Sequence, residues 1–590
     1  MGPRWSISLL VVSSLLAADP LAGTADSSTG SSQRPVASAG PAGNGIFADV
    51  TDAVGVSFVH YNGLTGELLY PEIMGSGAAL FDFDNDGDLD LFLVQGSTLR
   101  PGDDPRKTVT PWRGPGAPMS RLYRNDLKAG ATGAPRLTFT DVTEASRLIA
   151  RGYGMGVATG DINNDGWIDL YVTNLEANQL WLNRGDGTFV DTTAQSGTGD
   201  TRWGTSASFV DVDRDGWLDL FVTNYVRVDL SRPPACFATT SARDYCGPKT
   251  FPPVPDVLFR NKGDGTFQDV SAASGITREF GAGLGAVTDD FNGDGWVDIY
   301  VANDGSENQL WINQRNGTFR NEALLAGAAL NRDGQSEAGM GVDSGDFNGD
   351  GRPDIFLTHL MEETNTLYVN MGDTMFEDRT REAGLGLGRR YTGFGTLWFD
   401  FDNDGWLDLL SANGAVRRLS ADVREIYPLG QTNQLFHNTG KGTFVEISRR
   451  AGSTFQLAEV SRGAAFGDID NDGDTDVVVT NSNGPARVLV NTVGQRNGWV
   501  GVRAAGRRSG RDMLGAIVEV HTSDTRMLRR RVHTDGGYLS AHDPRVLVGL
   551  GNSGVAQVRV RWPSGETEQW PNVPASTYVT LRQGASPAVK

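Results

Sequence analysis

At 590 residues the chain is longer than one compact core usually holds, so two or more domains are expected. Its 76 Gly and 25 Pro, with 39% apolar residues, suit short strands and tight turns better than long helices. A formal net charge of −20 argues against nucleic acid or an anionic membrane surface as partner of the whole chain.

In chain order, Arg4 precedes an apolar run from Ile7 to Ala18 that is too short to span a bilayer and is followed by small residues. That pattern predicts a signal peptide over residues 1–25, cleaved after Ala18 or Ala25, and hence a secreted, periplasmic or cell-surface protein. Residues 26–44, rich in Ser, Gly, Ala and Pro, read as a disordered linker. No other apolar stretch is long enough for a membrane span.

From residue 45 a nine-residue motif, D-x-[DN]-x-D-G-x-x-D, organises the sequence in seven copies. Its first, third, fifth and ninth residues are Asp82, Asp84, Asp86 and Asp90 in loop 1, and Asp161, Asn163, Asp165 and Asp169 in loop 2. Loop 3 has Asp211, Asp213, Asp215 and Asp219; loop 4 has Asp290, Asn292, Asp294 and Asp298. Loop 5 has Asp346, Asn348, Asp350 and Asp354; loop 6 has Asp400, Asp402, Asp404 and Asp408; loop 7 has Asp468, Asp470, Asp472 and Asp476.

A strand-like run of small and apolar residues (GSGAALF, GYGMGVATG, GFGTLWF) precedes each loop, and a β-rich run (LDLFLV, IDLYVT, WVDIYVA) follows it. An aromatic or Leu run ending in Asn comes next (LYRN, LWLN, LFRN, LWIN, LYVN, LFHN, VLVN). Most copies then show a Phe-led strand such as GTFVDTT, with IFADVT and LTFTDVT heading the series. Four short strands per unit predict an all-β fold, a seven-bladed β-propeller over residues 45–498. A linear solenoid would need distinct capping repeats, and none is evident. The spacings between loops are 79, 50, 79, 56, 54 and 68 residues. The two longest carry insertions near 96–120 and 227–256, and the second holds the only cysteines, Cys236 and Cys246, which are expected to form a disulfide.

Carboxylates at alternate positions, Gly at the sixth and Asp at the ninth make an oxygen cage for a hard cation. Many oxygens with little strict geometry favour Ca²⁺ over Mg²⁺, up to seven ions in all. With no Cys or His in the loops, thiolate- and imidazole-seeking metals are disfavoured. Two other readings are ion-free Asx/Gly turns and EF-hands. Clustered carboxylates without a cation repel, and the twelfth position is not Glu, as Leu93 and Val172 illustrate. The Arg352-Pro353 pair is expected to distort loop 5. Trp167, Trp217, Trp296 and Trp406, at position 7 of four loops, are candidates for inter-blade packing or for an aromatic ligand surface.

Residues 499–585 read as a small all-β C-terminal domain with a net charge of +6 from residue 499 onward. Its cluster Arg526, Arg529, Arg530 and Arg531 either binds a polyanion or docks on the acidic propeller. At these motifs the chain resembles the FG-GAP (VCBS-like) repeats of integrin α-subunit propellers. More closely, it resembles the cartilage acidic protein family, with its C-terminal ASPIC/UnbV domain. That likeness rests on PEIMGSGAALFDFDNDGDLDLF, on YCGP at 245–248, and on Leu514-Gly515-Ala516, Gly536 through Ser540, Leu547 through Gly551 and Trp562 through Gly565. It implies an extracellular calcium-binding propeller acting in adhesion or as a scaffold, with a protein or glycan ligand on a propeller face.

No catalytic motif is complete, so no catalytic residue is assigned. His533, His542, Asp535, Asp543 and Ser540 carry chemistry suited to acid–base work. A calcium-dependent propeller hydrolase or cell-envelope biosynthetic enzyme is therefore the rival reading.

Overall fold

A computed structural model describes residues 45–129, 135–238, 241–386, 389–417, 429–507 and 511–587. The expected signal peptide and linker lie outside the described residues.

Seven four-stranded antiparallel sheets follow one another along the chain. Blade 2 is typical, with strands Gly154–Gly160, Asp169–Asn174, Gln179–Asn183 and Phe189–Asp191, and loop 2 joining its first pair. The second strands are buried on both faces, which is why they read as unbroken β-rich runs rather than as alternation. First strands touch the first strands of the next blade all the way round, blade 7 meeting blade 1, so the ring closes. Closure takes residues from both ends of the propeller. Blade 7 draws three strands from Ser461–Gly467, Asp476–Asn481 and Arg487–Asn491, and its fourth is Phe47–Asp49, with Phe47 opposite Asn491. The IFADVT segment thus completes the last blade rather than opening the first. Short helical turns, Thr143–Ser146 in blade 1 for example, follow five of the outer strands and were not legible as helices in the sequence.

The C-terminal region forms a three-stranded and a four-stranded sheet. Val500, Val518, Val548, Val558 and Trp562 share one core with Ile162, Tyr171 and Leu218 of blades 2 and 3, so this region is a cap packed onto the ring. Residues 534–543 leave the cap and enter the ring, where they meet all seven first strands. Ala541 exchanges backbone hydrogen bonds with blade 1, donating to Ala78 O (2.9 Å) and accepting from Leu80 N (3.2 Å). Val157 N of blade 2 donates to Leu539 O (3.1 Å), and Leu539 N donates to Ser206 Oγ of blade 3 (3.2 Å). Thr288 N of blade 4 donates to Asp535 Oδ2 (3.0 Å), and Gly537 and Val342 of blade 5 exchange both backbone bonds. Tyr538 packs edge-on against Phe394 of blade 6 at 4.8 Å, and Asp543 N donates to Phe466 O of blade 7 (3.0 Å).

This plug explains the small residues of the first strands. A Cβ on Gly77 would lie 1.6 Å from Leu539 O, so only glycine lets the plug pass. It also changes the reading of the acid–base candidates. Asp535, Ser540 and His542 are buried in the plug, and burial pushes the His542 imidazole down to about 3. Arg531 donates to Asp535 (2.8 Å); burial raises the Asp535 carboxyl, but Arg531 and His533 together hold it below the usual range. These groups hold the plug in place.

The Pro-rich segments run between the second and third strands of blades 1 and 3. Cys236 and Cys246 form a disulfide (S–S 2.04 Å) across the hairpin Cys236–Phe237/Arg243–Asp244. The neighbouring Tyr245 hydroxyl donates to the buried Glu72 carboxylate (2.9 Å).

Because Tyr538 is fully buried where the blades converge, Tyr538→Ala is expected to cost about 3–5 kcal/mol in urea unfolding. A loss below about 1 kcal/mol would show that the plug contributes little to the ring.

Candidate metal centres

Each loop is shaped by two residues in left-handed backbone. Position 4 has positive φ in all seven copies, from Asn403 at 55° to Gly349 at 76°, and so does the Gly at position 6, at 84–98°. Asn and Gly tolerate that conformation best, which accounts for their recurrence at position 4. Arg214 is the exception; its guanidinium donates to Gly295 O and stacks over Trp296 at 4.3 Å.

This turn folds the backbone amides around the first carboxylate. Asp161 Oδ1 accepts from Asp165 N (3.1 Å) and Oδ2 from Gly166 N (2.8 Å), and loops 1, 5, 6 and 7 repeat the pair. The ninth residue is buried in every loop. Asp169 Oδ2 accepts from Ile162 N (3.0 Å) and Oδ1 from Asn183 N (2.8 Å), tying the loop to the third strand of its own blade. Loop 5 departs from this plan. Pro353 precedes Asp354 there, and Asp354 Oδ2 is buried without a partner among the described residues. The rest of loop 5 keeps the common turn, with Asp346 accepting from Asp350 N and Gly351 N. The turn thus keeps its common form despite the Arg352-Pro353 pair.

The Asn ending each third strand links the blades. Asn183 Nδ2 donates to Ile168 O of its own loop and to Phe83 O of loop 1 (3.2 and 2.8 Å). Asn125, Asn261, Asn313, Asn370, Asn438 and Asn491 bridge their own loop and the preceding one in the same way. Position 4 adds a second tie. Asn85 donates to Gly166 O, Asn164 to Gly216 O, Asn403 to Gly473 O and Asn471 to Gly87 O. The seven loops therefore sit on one face in a continuous ring. The Asn recurs seven times in the sequence, but only the fold shows what it bonds.

In loops 1, 3, 6 and 7, three carboxylates each bring an oxygen within 4.8 Å of the others: Asp82/84/86, Asp211/213/219, Asp400/402/408 and Asp468/470/476. In loops 2, 4 and 5 an amide stands at the third position, and Asn163, Asn292 and Asn348 accept from the amides of Asp165, Asp294 and Asp350. Buried oxygens of Asp84, Asp211, Asp290, Asp402 and Asp470 have no partner among the described residues. Burial pushes Asp82, Asp161, Asp211 and Asp468 up to about 6, Asp219 to about 8 and Asp90 to about 9. Buried carboxylate oxygens without partners are costly, and clusters of them could hold a cation. The donor set is all oxygen, with one exception: the His437 imidazole reaches loop 6 from a neighbouring strand, with Nδ1 3.2 Å from Asp408 Oδ1. Imidazole is absent from the loop sequences, but not from the surroundings of loop 6.

The four position-7 Trp are half-buried. A Cβ on Gly185, Gly263 or Gly440 would touch Trp167, Trp217 or Trp406 respectively, so these indoles cover the outer hairpin of their own blade. Trp296 leans on Arg214 of blade 3, a contact between blades.

The basic face of the cap lies on this loop ring. Arg529 donates to Asp289 (2.7 Å), Arg561 to Asp290 through two nitrogens (both 3.0 Å) and Arg530 to Gly405 O (3.2 Å). Arg526 donates to Asp404 O (3.0 Å) and the Tyr578 hydroxyl to Asp468 (2.8 Å). Docking, not a free polyanion site, accounts for the arginine cluster.

With this geometry in place, two family models agree with it. The FG-GAP-like repeat model matches residues 82–172, 161–222, 290–357, 346–411 and 425–479, and the ASPIC and UnbV model matches 506–588. The chain belongs to the FG-GAP-like repeat family. It is similar to cartilage acidic protein 1 of Mus musculus, with 27% identity over 53% of this chain and 46% of that protein. The Homo sapiens relative gives 27% over 53% and 45%. The chain thus spans about half the length of the curated relatives it matches. Among solved structures, the BP39L lectin from Burkholderia pseudomallei aligns at TM-score 0.40 and 11% identity, covering 72% of this chain and 97% of the lectin. An Agrocybe aegerita lectin that recognises non-reducing terminal N-acetylglucosamine aligns at TM-score 0.37 and 15% identity, covering 64% and 90%.

Asn183→Ala removes a donor from two buried carbonyls of adjacent loops, and is expected to lower unfolding free energy by about 1–3 kcal/mol in guanidinium titrations. A loss under about 0.5 kcal/mol would show the bridge to be idle. In metal-free buffer, the raised Asp carboxyls set the sign of the pH dependence. An unfolded Asp titrates near 3.9, so between about pH 4 and 8 the folded state holds protons that the unfolded chain has released. The melting temperature of the metal-depleted protein is expected to fall steadily across that range, and a flat or rising profile would contradict the shifts.

Proposed function

We propose that the chain is an exported, calcium-loaded propeller that works as a binding or scaffold module, its ions structural rather than catalytic. The observation carrying this reading is the ring of seven like loops on one face, four of which bring three carboxylates together and six of which hold a buried carboxylate oxygen lacking a partner among the described residues. The first, third, fifth and ninth residues of each loop would hold the ion, and the position-7 carbonyl would add a further oxygen. Seven Ca²⁺ would take the formal charge from −20 to −6. At tenfold saturation each site adds about 1.4 kcal/mol by mass action, so seven approach roughly 10 kcal/mol, comparable with the whole stability of a typical domain. The Cys236–Cys246 disulfide fits an oxidising compartment. A hydrolase built on the propeller axis is disfavoured, because residues 534–543 fill that axis and His542 is 2% exposed.

Chelation is expected to lower the melting temperature strongly, and added Ca²⁺ to restore it. Asp165→Ala or Asp404→Ala should each reproduce only part of the loss, since six cages remain. Tb³⁺ bound in place of Ca²⁺ should emit on excitation of Trp167, Trp217, Trp296 and Trp406. A melt indifferent to chelator, with Tb³⁺ emission at background, would overturn the proposal.

A further inference from the structure

The cap does not seat evenly on the loop ring. It reaches loops 4, 6 and 7 with Arg561, Arg530, Arg526 and Tyr578, whereas over loops 1 and 2 it stands off and encloses a cavity of about 340 Å³. That volume lies at the lower end of the range of small-ligand sites, which favour domain interfaces. We propose that this cavity is a binding site for a neutral, polyhydroxylated small molecule of mono- to disaccharide size. The proposal deepens the binding-module reading and rests on it.

The walls define the ligand class. Leu89 and Ile168 from loops 1 and 2 face Leu514, Pro544 and Val579 of the cap, an apolar lining suited to the C–H faces of a sugar ring. The charged groups come in matched pairs. Arg503 donates through Nε to Asp512 Oδ1 (2.7 Å), and Arg545 donates through Nε to both oxygens of Asp543 (3.0 and 2.9 Å). Asp82 and Asp161 also line the cavity, but both oxygens of each already accept from amides of their own loops. The two Arg–Asp pairs are each balanced and favour neither an anion nor a cation, while Asp82 and Asp161 belong to the cages of loops 1 and 2. Among the described residues Arg503 and Asp512 share one bond, which sets guanidinium N–H groups and a carboxylate oxygen side by side, a donor and an acceptor for adjacent hydroxyls.

Thr159 belongs to the same wall, where its fully buried hydroxyl has no hydrogen-bond partner among the described residues. Asn85, Gly87 and Thr580 are lining residues that are also exposed, and they mark the open side.

The test uses the full chain in millimolar CaCl₂ and saturation-transfer NMR. The probes are glucose, galactose, mannose, fucose, xylose, N-acetylglucosamine, N-acetylgalactosamine, lactose and cellobiose, with hexanoate as an amphipathic anion. At least one neutral sugar is expected to bind saturably and hexanoate not to compete. Arg503→Met should weaken that sugar about tenfold or more, because it removes a hydrogen-bonding group from a desolvated site. Val579→Trp, at the half-buried wall, should abolish binding by filling the space. Tb³⁺ emission of Arg503→Met, measured on the same samples, should stay at the wild-type value, and each variant should still melt cooperatively. If no sugar in the panel saturates, if binding survives Val579→Trp, or if hexanoate takes the site instead, the cavity proposal fails. The Tb³⁺ readings then decide the calcium reading separately.

Discussion

The structure depends on a buried carboxylate held by backbone amides, repeated seven times. Asp at the ninth position accepts from its own loop in every loop but loop 5 and, in all seven blades, from the Asn that ends the third strand. That Asn then reaches back with its amide to the preceding loop. One chemical unit thus closes the turn, fixes the strand register and joins neighbouring blades. Removing either partner would leave buried polar groups unsatisfied in two blades at once, which is far costlier than losing a surface hydrogen bond.

The same carboxylates create an electrostatic problem that the molecule meets in two ways. Burial first, and repulsion among the acidic oxygens gathered on one face second, make these carboxylates resist ionisation. Cations inside the cages would relieve that repulsion locally. The cap relieves it from above, with Arg529 and Arg531 pairing with the buried Asp289 and Arg561 with Asp290. Burial alone would raise Asp289, but the two arginines hold it below the usual carboxylate range. Contacts of this kind stabilise mainly by preventing the cost of an unpaired buried charge.

The plug adds a constraint that a ring of blades lacks by itself. A propeller made of near-identical units has a small central space lined by first strands, and here a segment of the cap fills it while bonding to all of them. Cap and propeller therefore share one core and one hydrogen-bond network. Loss of cap packing would expose the first-strand amides that the plug now satisfies, such as those of Val157 and Val342.

The sequence by itself determined the local units. Seven copies of D-x-[DN]-x-D-G-x-x-D, flanked by β-rich runs and followed by an Asn, set the number of blades, the strands of each and the acidic turns between them, because turn chemistry and strand period are local properties. The cysteine pair was legible for the same reason. Tertiary structure decided what depends on residues far apart in the chain. Phe47–Asp49 completes blade 7 across more than four hundred residues, residues 534–543 enter the ring, and the arginine cluster docks on the loops instead of serving an outside partner. His437 beside loop 6 and the cavity over loops 1 and 2 likewise arise only where separate segments meet. No window of sequence encodes such contacts, because each is fixed by the packing of surfaces that exist only after the blades have formed.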